Sequence, residues 1–190
     1  MDDRKYRGLF TNLPSFETER LILRKITPTD LYDVYDYSRE DEVSRYLLWS
    51  PHLNLDETKG YIEYLQKEYK KGRCTDWGVA MKENGILIGT CGFSSMDIYN
   101  NKAEIGYVLS HRYRGRGYMR EAVRKVLSIG FDTLGLRRIE ARILVGNTPS
   151  EKLAMDVGMK YEGTLRNALF IKGEYKSFSY YAITREDYGR

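Results

Sequence analysis

Hydrophobic and polar positions change their period several times along the 190-residue chain. Apolar residues in short alternating or β-branched runs predict strands at 20–26, 77–82, 86–94, 103–109, 138–144, 163–171 and 175–183. Apolar residues at three- and four-residue steps predict helices between 27 and 71, after 117, and from 148 to 157. This mixed order predicts an α/β fold with one sheet and helices on both faces.

Turn residues separate these segments. Thr27-Pro28-Thr29-Asp30 is typical of a helix start, and Asn84-Gly85 between two strand-like runs is a strong hairpin signal. Lys172-Gly173 indicates the turn between the last two strands. No linker, repeat or low-complexity tract interrupts the pattern. We therefore predict a polar lead-in at 1–18 and a single domain over 19–188.

The short helix after residue 147 has its own start and stop signals. Thr148, Pro149 and Glu151 match a capping box, in which Thr148 caps the helix and Glu151 reaches back to it. Gly158 is expected to end this helix. The capping box leaves Ser150 free for another partner.

The stretch Arg112-Tyr113-Arg114-Gly115-Arg116-Gly117-Tyr118 lies between a strand-like and a helix-like run. A strand that turns through glycines into a helix presents free N–H groups at the positive end of a helix dipole, which binds phosphate oxygens. Gly115 and Gly117 lack the Cβ atoms that would keep a pyrophosphate away. The stretch is neither a Walker A loop nor a full G-x-G-x-x-G motif. We predict an anion site, with the three arginines adding positive charge.

Composition narrows the functional classes. The net charge of +4 is mild, and nucleic-acid binding is not expected, because no ribonucleoprotein-type aromatic motif accompanies the basic residues. No apolar run approaches the ~20 residues of a membrane span, and the first residues have no signal-peptide core, so no membrane partner is expected. Cys74 and Cys91 without a CxxC motif predict reduced cysteines in a cytoplasmic protein and no zinc site.

The spacing Arg112-x-x-Gly115-x-Gly117 matches Arg/Gln-x-x-Gly-x-Gly/Ala, and in this context the chain resembles the GNAT superfamily of acyl-coenzyme A N-acyltransferases. The resemblance covers about residues 17–188 and includes Glu104-Ile105-Gly106-Tyr107 and Glu121-Ala122. It implies one mixed, mostly antiparallel central sheet. It also implies an enzyme that uses acetyl-CoA as co-substrate, without a metal, and moves acetyl directly to a primary amine.

Asn147-x-x-Ser150 and Gly158-Met159-x-Tyr161-Glu162-Gly163 resemble in particular the branch that acetylates the N-terminal alanine or serine of ribosomal proteins. That branch implies a protein N-terminal α-amine as acceptor. Enzymes for small amines, such as polyamines or aminoglycosides, share the branch, so this alternative stays open. A non-catalytic module that binds acetyl-CoA or RNA is the alternative from another class. The chain is expected to be a monomer or a homodimer.

The resemblance also implies which residues contact the coenzyme. A main-chain amide of Val108 or Leu109 would bind the acetyl carbonyl, and Asn147 would contact the pantetheine arm. The loop that would hold the pyrophosphate consists of Arg112, Arg114, Gly115, Arg116, Gly117, Tyr118 and Met119.

Two residues are candidates for catalysis. Glu104, unusual in an apolar and aromatic strand, is the candidate base, directly or through a water; the alternative is a cross-strand ion pair. Ser150 is implied by the resemblance to hydrogen-bond the leaving sulfur; the alternative is a tolerated serine in a first turn.

The chain departs from its relatives at two positions. Members of the ribosomal branch have a glutamate where this chain has Leu169, and many other GNAT enzymes have a tyrosine acid where this chain reads Leu153-Ala154-Met155. His52 and His111 are expected to be isolated surface residues. The acceptor is expected between the helices of 31–71 and the last hairpin. Trp49 is the candidate there, with core packing as the alternative.

Overall fold

The computed structural model describes residues 9–189. Its strands are β1 Phe16–Glu17, β2 Leu21–Arg24, β3 Asp76–Met81, β4 Leu87–Asp97, β5 Lys102–Leu109, β6 Arg138–Leu144, β7 Lys160–Ile171 and β8 Glu174–Thr184. Its helices are α1 Leu31–Ser38, α2 Asp41–Ser44, α3 Leu55–Lys70, α4 Tyr118–Ser128 and α5 Thr148–Asp156. A π-helical turn, Ile129–Thr133, extends α4.

The eight strands form one sheet in the order β1-β2-β3-β4-β5-β6-β8-β7. Every neighbouring pair is antiparallel except β5 and β6, which α4 connects as a parallel crossover. The predicted mixed, mostly antiparallel sheet is confirmed. Because β7 lies beyond β8, the last hairpin forms one edge of the sheet.

Helices cover the sheet on both faces, as predicted. On one face α1 packs against α3 and against β4. On the other, α4 and α5 lie side by side: Arg124 Nη2 donates to the C=O of Asp156 at 3.4 Å. Gly130, in the turn after α4, packs so closely on the sheet that an added Cβ would lie 2.6 Å from Ile139. This close approach explains why a glycine interrupts the apolar face of that helix.

The seven predicted strands are all present with small shifts of their ends, and the Asn84-Gly85 hairpin is confirmed. Lys172 and Gly173 both have positive φ, 51° and 82°, as a two-residue turn of the mirror-image type requires. The strand β1 was not predicted. It lies within the predicted lead-in, where Phe10 and Leu13 are also buried in the core. Residues 1–8 of that lead-in are outside the described part.

The predicted capping box at α5 is wrong. Asn147, with φ −83° and ψ 62°, is the N-cap residue, and Thr148 is the first helical residue. The N-cap side chain makes no hydrogen bond to the start of the helix. The C=O of Asn147 accepts the amides of Ser150 and Glu151 at 3.0 and 3.1 Å. The end of the helix is as predicted. Gly158 has φ 92°, and Gly158 and Met159 donate back to Met155 and Ala154.

Candidate active site at the β5–β6 opening

The glycine loop, residues 112–118, connects β5 to α4. Gly115 and Gly117 have φ 77° and 79°, the left-handed conformation that L-residues with a Cβ rarely adopt. Gly117 is the N-cap residue of α4. The loop therefore turns abruptly from strand to helix, as its two glycines predict.

The amides of residues 115–120 donate to no acceptor within residues 9–189. The next amide along the chain, that of Glu121, donates to the C=O of Gly117 at 3.1 Å. The side chain of Met119 is buried in the core, so only its backbone is available to a ligand. Consecutive free amides at the start of an eleven-residue helix form a site for an anion such as a pyrophosphate.

Two of the three arginines of the glycine loop are held by carboxylates of the first helices. Arg112 Nη1 lies 2.8 Å from Asp36, and Arg114 Nη1 lies 3.3 Å from Glu42. His111 pairs with Glu40. These contacts fix the loop against α1 and α2, and they neutralise part of the positive charge that the sequence places there.

His111 is therefore not isolated, and neither is His52. His52 Nδ1 lies 2.9 Å from Ser38 Oγ and 2.8 Å from Thr58 Oγ1, which ties α1 to α3. Burial lowers the pKa of His52 despite the nearby charge of Glu57. The prediction that the two histidines are isolated is wrong, because elements other than their own supply their partners; His111 is exposed at the surface, as predicted, and His52 is partly buried.

Arg20, immediately before β2, is a contact of the glycine loop that the sequence did not indicate. Its Nη1 donates to the C=O of Arg116 at 3.0 Å, its Nε lies 2.7 Å from Glu121, and its guanidinium lies 4.5 Å from the ring centroid of Tyr118. Burial raises the pKa of Glu121, but hydrogen bonds from Thr18 and Arg20 outweigh it and lower that pKa overall.

Beside this contact lies a basic groove of about 460 Å³. Its lining residues are Glu17, Thr18, Glu19, Arg20, Gly117, Arg120, Glu121, Arg124 and Lys125. The four cations outnumber the three carboxylates; Glu121 is paired with Arg20, Glu17 with Lys82, and Arg120 lies 3.6 Å from Asp156. The groove therefore extends the anion site away from the free amides.

Strands β5 and β6 are paired only at their beginnings, where residues 102–104 meet residues 138–140. Beyond this point β5 stays with β4 and β6 stays with β8. The two parallel strands therefore separate. They leave an opening, which we define as the space between residues 105–109 of β5 and residues 141–144 of β6.

Two main-chain amides face this opening. Ser110 donates to the C=O of Ile88 at 2.9 Å, and hydrogen-bonded pairs alternate along antiparallel strands. The amide of Val108 therefore also faces β4, whereas those of Tyr107 and Leu109 face the opening. Of the two amides predicted for the acetyl carbonyl, the register favours Leu109 over Val108, and it adds Tyr107.

A hydroxyl pair lies on the α5 side of the opening. Tyr107 Oη is 2.6 Å from Ser150 Oγ. Burial raises the pKa of Tyr107 to about 12, with the hydrogen bond to Ser150 acting in the opposite direction. Tyr107 therefore keeps its proton at neutral pH and is able to donate it in a hydrogen bond to Ser150. Ser150 is not a free serine, and its partner Tyr107 was missed.

Glu104 lies on the other side of the sheet and forms the cross-strand ion pair considered as its alternative role. Its Oε2 is 2.7 Å from Nε of Arg142 on β6. The hydrogen bond to Glu104 raises the pKa of Arg142. This pair bridges the two strands where they begin to separate.

The Acetyltransferase (GNAT) domain family model matches residues 20–160 of this chain, which include the glycine loop, the opening and α5. The chain belongs to the GNAT acetyltransferase family. It is an N-acetyltransferase. Uncharacterized N-acetyltransferase p20 of Bacillus licheniformis is 34% identical to it over 171 residues, 90% of this chain and 96% of the relative.

Two further comparisons concern proteins with stated acceptors. The [ribosomal protein uS5]-alanine N-acetyltransferase of Escherichia coli is 25% identical over 191 residues, 95% of this chain and 97% of that protein. The structure of spermidine N-acetyltransferase from Vibrio cholerae, in complex with CoA and spermine, is 22% identical and matches with a TM-score of 0.77. It covers 91% of this chain and 100% of that one, and at this identity the likeness shows the fold alone.

In the acetyltransferase, the β6–α5 connection and the first helices meet at the opening. An added Cβ at Gly146 would lie 3.8 Å from Tyr46 Oη, so Tyr46 reaches from beyond α2 to the start of α5. The side chain of Asn147 has no hydrogen-bond partner within the described residues and is partly exposed. Asn147 is therefore available to a ligand, and its contact with the pantetheine arm stays a prediction.

The last hairpin reaches the same helices. Lys172 Nζ, in the β7–β8 turn, donates to the C=O of Ser44 at 2.8 Å. A cleft of about 440 Å³ lies beside this contact and is lined by Asp41, Glu42, Ser44, Arg45, Ser50, Pro51 and Lys172. Trp49 packs against the core and lies 5.7 Å from the ring of His52. Its side chain thus has the packing role considered as an alternative, and its role in acceptor binding remains a prediction.

Leu169 lies directly after an irregular part of β7. Leu165 pairs with Phe178 and Leu169 with Lys176, so three residues of β7 stand opposite one residue of β8. Asn167, in this bulge, has φ 50° and donates its N–H to Ser177 Oγ at 3.0 Å. Leu169 itself carries no carboxylate, and none of the residues in the bulge has an acidic side chain.

Three simpler expectations concern the described residues. Cys74 and Cys91 are buried free thiols, and burial raises the pKa of Cys74 to about 11, so neither is a reactive thiolate at neutral pH. No group of three or more potential metal ligands occurs within residues 9–189. No helix in this part of the chain is long and apolar enough to span a membrane.

Proposed function

We propose that this N-acetyltransferase transfers the acetyl group of acetyl-CoA to the α-amine at a protein N-terminus, with the reaction taking place at the β5–β6 opening. The observation that carries the proposal is a set of main-chain amides with no acceptor within residues 9–189, in two groups on either side of the β5–α4 connection. The first group is Tyr107 and Leu109 at the opening, and the second is residues 115–120 in the glycine loop.

These amides suit two polar groups of acetyl-CoA, the pyrophosphate and the acetyl carbonyl. The amides of residues 115–120 suit the pyrophosphate, because they combine free N–H groups with a helix dipole and left-handed glycines. The basic groove beside Arg20 suits the anionic adenylate end. Asn147 and the amides facing the opening remain for the pantetheine arm and the acetyl carbonyl.

During acetyl transfer two atoms gain negative charge, and each needs to be stabilised. The carbonyl oxygen gains negative charge as the amine attacks, and a fixed N–H donor such as that of Tyr107 or Leu109 lowers this barrier. The leaving sulfur also gains negative charge. Ser150, in a hydrogen bond of 2.6 Å with Tyr107, is placed to stabilise it with a hydroxyl whose orientation is already fixed.

The charges around the acceptor side favour an N-terminal amine over a polyamine. A polycation would be expected to bind a cluster of unpaired carboxylates, but on the first helices Asp36 and Glu40 are engaged by Arg112 and His111. The cleft beside the last hairpin carries two cations, Arg45 and Lys172, against two carboxylates. The likeness to the uS5-alanine enzyme supports the same choice.

A panel of acceptors tests this proposal. Release of free thiol from acetyl-CoA would be followed with peptides that begin with Ala, Ser or Met, with N-terminally blocked versions of the same peptides, and with spermidine and an aminoglycoside. We expect turnover of the free peptides and none of the blocked ones, with mass spectrometry placing acetyl on the α-amine. Turnover of small amines alone would contradict the proposed acceptor. It would leave the family assignment intact.

A further inference from the structure

The carboxylate of Asp76 has no partner in the described part of the chain. Asp76 begins β3, and its backbone carbonyl oxygen accepts hydrogen bonds from Tyr69 Oη at 3.3 Å and from Cys74 Sγ at 3.8 Å. Within residues 9–189, no amide, side-chain donor or cation contacts its carboxyl oxygens. The residue is also partly exposed to solvent. A carboxylate in such a position is available to a ligand.

A floor of glycines connects this carboxylate to the opening. Asp76 lies opposite Gly92 in the β3–β4 ladder, and Gly92 lies opposite Gly106 in the β4–β5 ladder. Directly opposite residues share a face of the sheet, so neither β4 nor β5 places a side chain in this row. An added Cβ at Gly92 would lie 2.6 Å from Asp76 Oδ1, so the carboxylate lies directly over that glycine.

The row leads to the amide that faces the opening. Gly106 immediately precedes Tyr107 and is partly exposed, and Ser94, on the same face, is exposed. An amine that approaches over Gly106 would therefore have Asp76 on one side and the opening on the other. Helices α1 and α3 lie on the side of Asp76.

The groups around Asp76 are neutral at neutral pH. They are Tyr37 on α1, Tyr61 and Tyr69 on α3, Cys74 before β3, and Cys91 on β4. The charged groups on the same face of β5 are Lys102, which lies 3.6 Å from Glu140, and Glu104, which is paired with Arg142. Burial without a compensating partner raises the pKa of Asp76 to about 7. This is the range in which a general base is most effective at neutral pH.

We propose that Asp76 receives the acceptor's amine and takes the proton that the ammonium must lose before it attacks. The carboxylate takes one proton from R–NH3⁺ and leaves R–NH2. The nitrogen lone pair forms the N–C bond to the acetyl carbonyl carbon, and the C–S bond breaks with its electron pair on sulfur. The sulfur takes the second proton lost by nitrogen, and Asp76 returns its proton to water. The inference rests on the acetyl transfer proposed for the opening.

Asp76→Asn tests this role, with Glu104→Gln and Asp97→Asn as comparisons. Asp97 is a carboxylate at the end of β4 whose pKa is lowered by hydrogen bonds from Asn100. We expect Asp76→Asn to lower kcat/KM about 100-fold at pH 7. Glu104→Gln and Asp97→Asn should keep most of the activity. Affinity for acetyl-CoA, measured by calorimetry, should be unchanged in all three.

The pH profile separates a base from a structural carboxylate. A base must be deprotonated, so wild-type kcat/KM should rise as pH increases through about 7. In Asp76→Asn the rise should move toward the pKa of the amine itself, about 8 for an α-amine. A profile of Asp76→Asn that overlays the wild type, or loss of the rise in Glu104→Gln instead, would overturn the inference.

An NMR titration needs no acetyl transfer, so it tests the role of Asp76 independently of which amine is the acceptor. The ¹³C signal of the Asp76 carboxyl, identified by its loss in Asp76→Asn, should titrate near pH 7. Titration near the ordinary aspartate value of about 4 would overturn the inference, whichever amine is acetylated. Titration near 7 together with turnover of small amines alone would support the role of Asp76 and contradict the N-terminal acceptor.

Discussion

The coenzyme side and the acceptor side of this enzyme are built in different ways. The proposed coenzyme side lies mostly in one stretch of sequence, from Tyr107 at the opening to Glu121 in α4, joined by Arg20, Asn147 and Ser150, and it consists mainly of main-chain amides. The groups proposed for the acceptor side, which include Tyr46, Asp76 and the turn at Lys172, come from widely separated segments. A site made of backbone groups needs only the correct local conformation, whereas a site made of side chains depends on the packing of the whole domain.

Among substitutions on the coenzyme side, the largest effect is expected from Gly117→Val, which changes the conformation of the glycine loop. Gly117 has φ 79°, and a left-handed conformation costs a residue with a Cβ about 1–2 kcal/mol. The added side chain would also project toward Arg20 and Arg120, whose nearest atoms lie 3.5 Å from the Cβ position. We expect affinity for acetyl-CoA to fall at least about tenfold, measured by calorimetry.

Gly135→Val is the matched control for this substitution. Gly135 has a similar φ of 73°, with nothing within 4 Å of its Cβ position, and it lies in the turn before β6. It should lower the melting temperature as Gly117→Val does while leaving affinity for acetyl-CoA unchanged. If Gly117→Val kept the same affinity for acetyl-CoA as Gly135→Val and the wild type, the glycine loop would not be the binding site of the coenzyme.

A smaller effect is expected from Tyr107→Phe, which removes a hydroxyl from a site otherwise built of backbone amides. The variant loses the 2.6 Å hydrogen bond to Ser150 and leaves the serine hydroxyl free to rotate. A hydrogen bond of this kind contributes about 1 kcal/mol, so kcat should fall about fivefold with acetyl-CoA affinity unchanged.

Ser150→Ala should have a similar effect, and the double variant should lose little more than either single one, because the two hydroxyls act as a unit. Fully additive losses in steady-state kinetics would show that Tyr107 and Ser150 act separately.

The smallest effect is expected from Glu121→Gln, which tests the long-range tie of the coenzyme side to β2. Arg20 is 42% exposed, so solvent screening limits the loss of unfolding free energy to about 1 kcal/mol at pH 7. The pKa of Glu121 is lowered in the folded protein, so its contribution is present above the unfolded pKa and is lost as pH falls through the folded value.

Urea unfolding at neutral and at acidic pH measures this tie. The difference between Glu121→Gln and wild type should shrink below about pH 4. Glu174→Gln, which removes a pair at the surface with Lys176, is the control and should match the wild type at both pH values. A difference that persists at acidic pH would indicate that packing, not charge, makes the contribution of Glu121.

The two sides also differ in how well the sequence predicts them. Alternation, turn residues and the two glycines of the loop predicted the strands and the strand-to-helix turn, because these depend on local conformation. The partners of Ser150 and His52 were not predicted, since Tyr107 and Ser38 come from other elements. The alternation along β5 that separates Val108 from Leu109 requires the register with β4. Asp76 gave no signal in sequence, because only the burial of a lone carboxylate distinguishes it.

Hydrogen exchange of the main-chain amides, with and without acetyl-CoA, tests the account most directly. Amides that lack an acceptor exchange quickly, so Tyr107, Leu109 and residues 115–120 should exchange fast in the free enzyme. With acetyl-CoA these amides should slow together, while those of the turn at Lys172 and Gly173 should not change. Slowing confined to other parts of the sheet, or none at saturating acetyl-CoA, would contradict a coenzyme held by the backbone of the glycine loop and the opening.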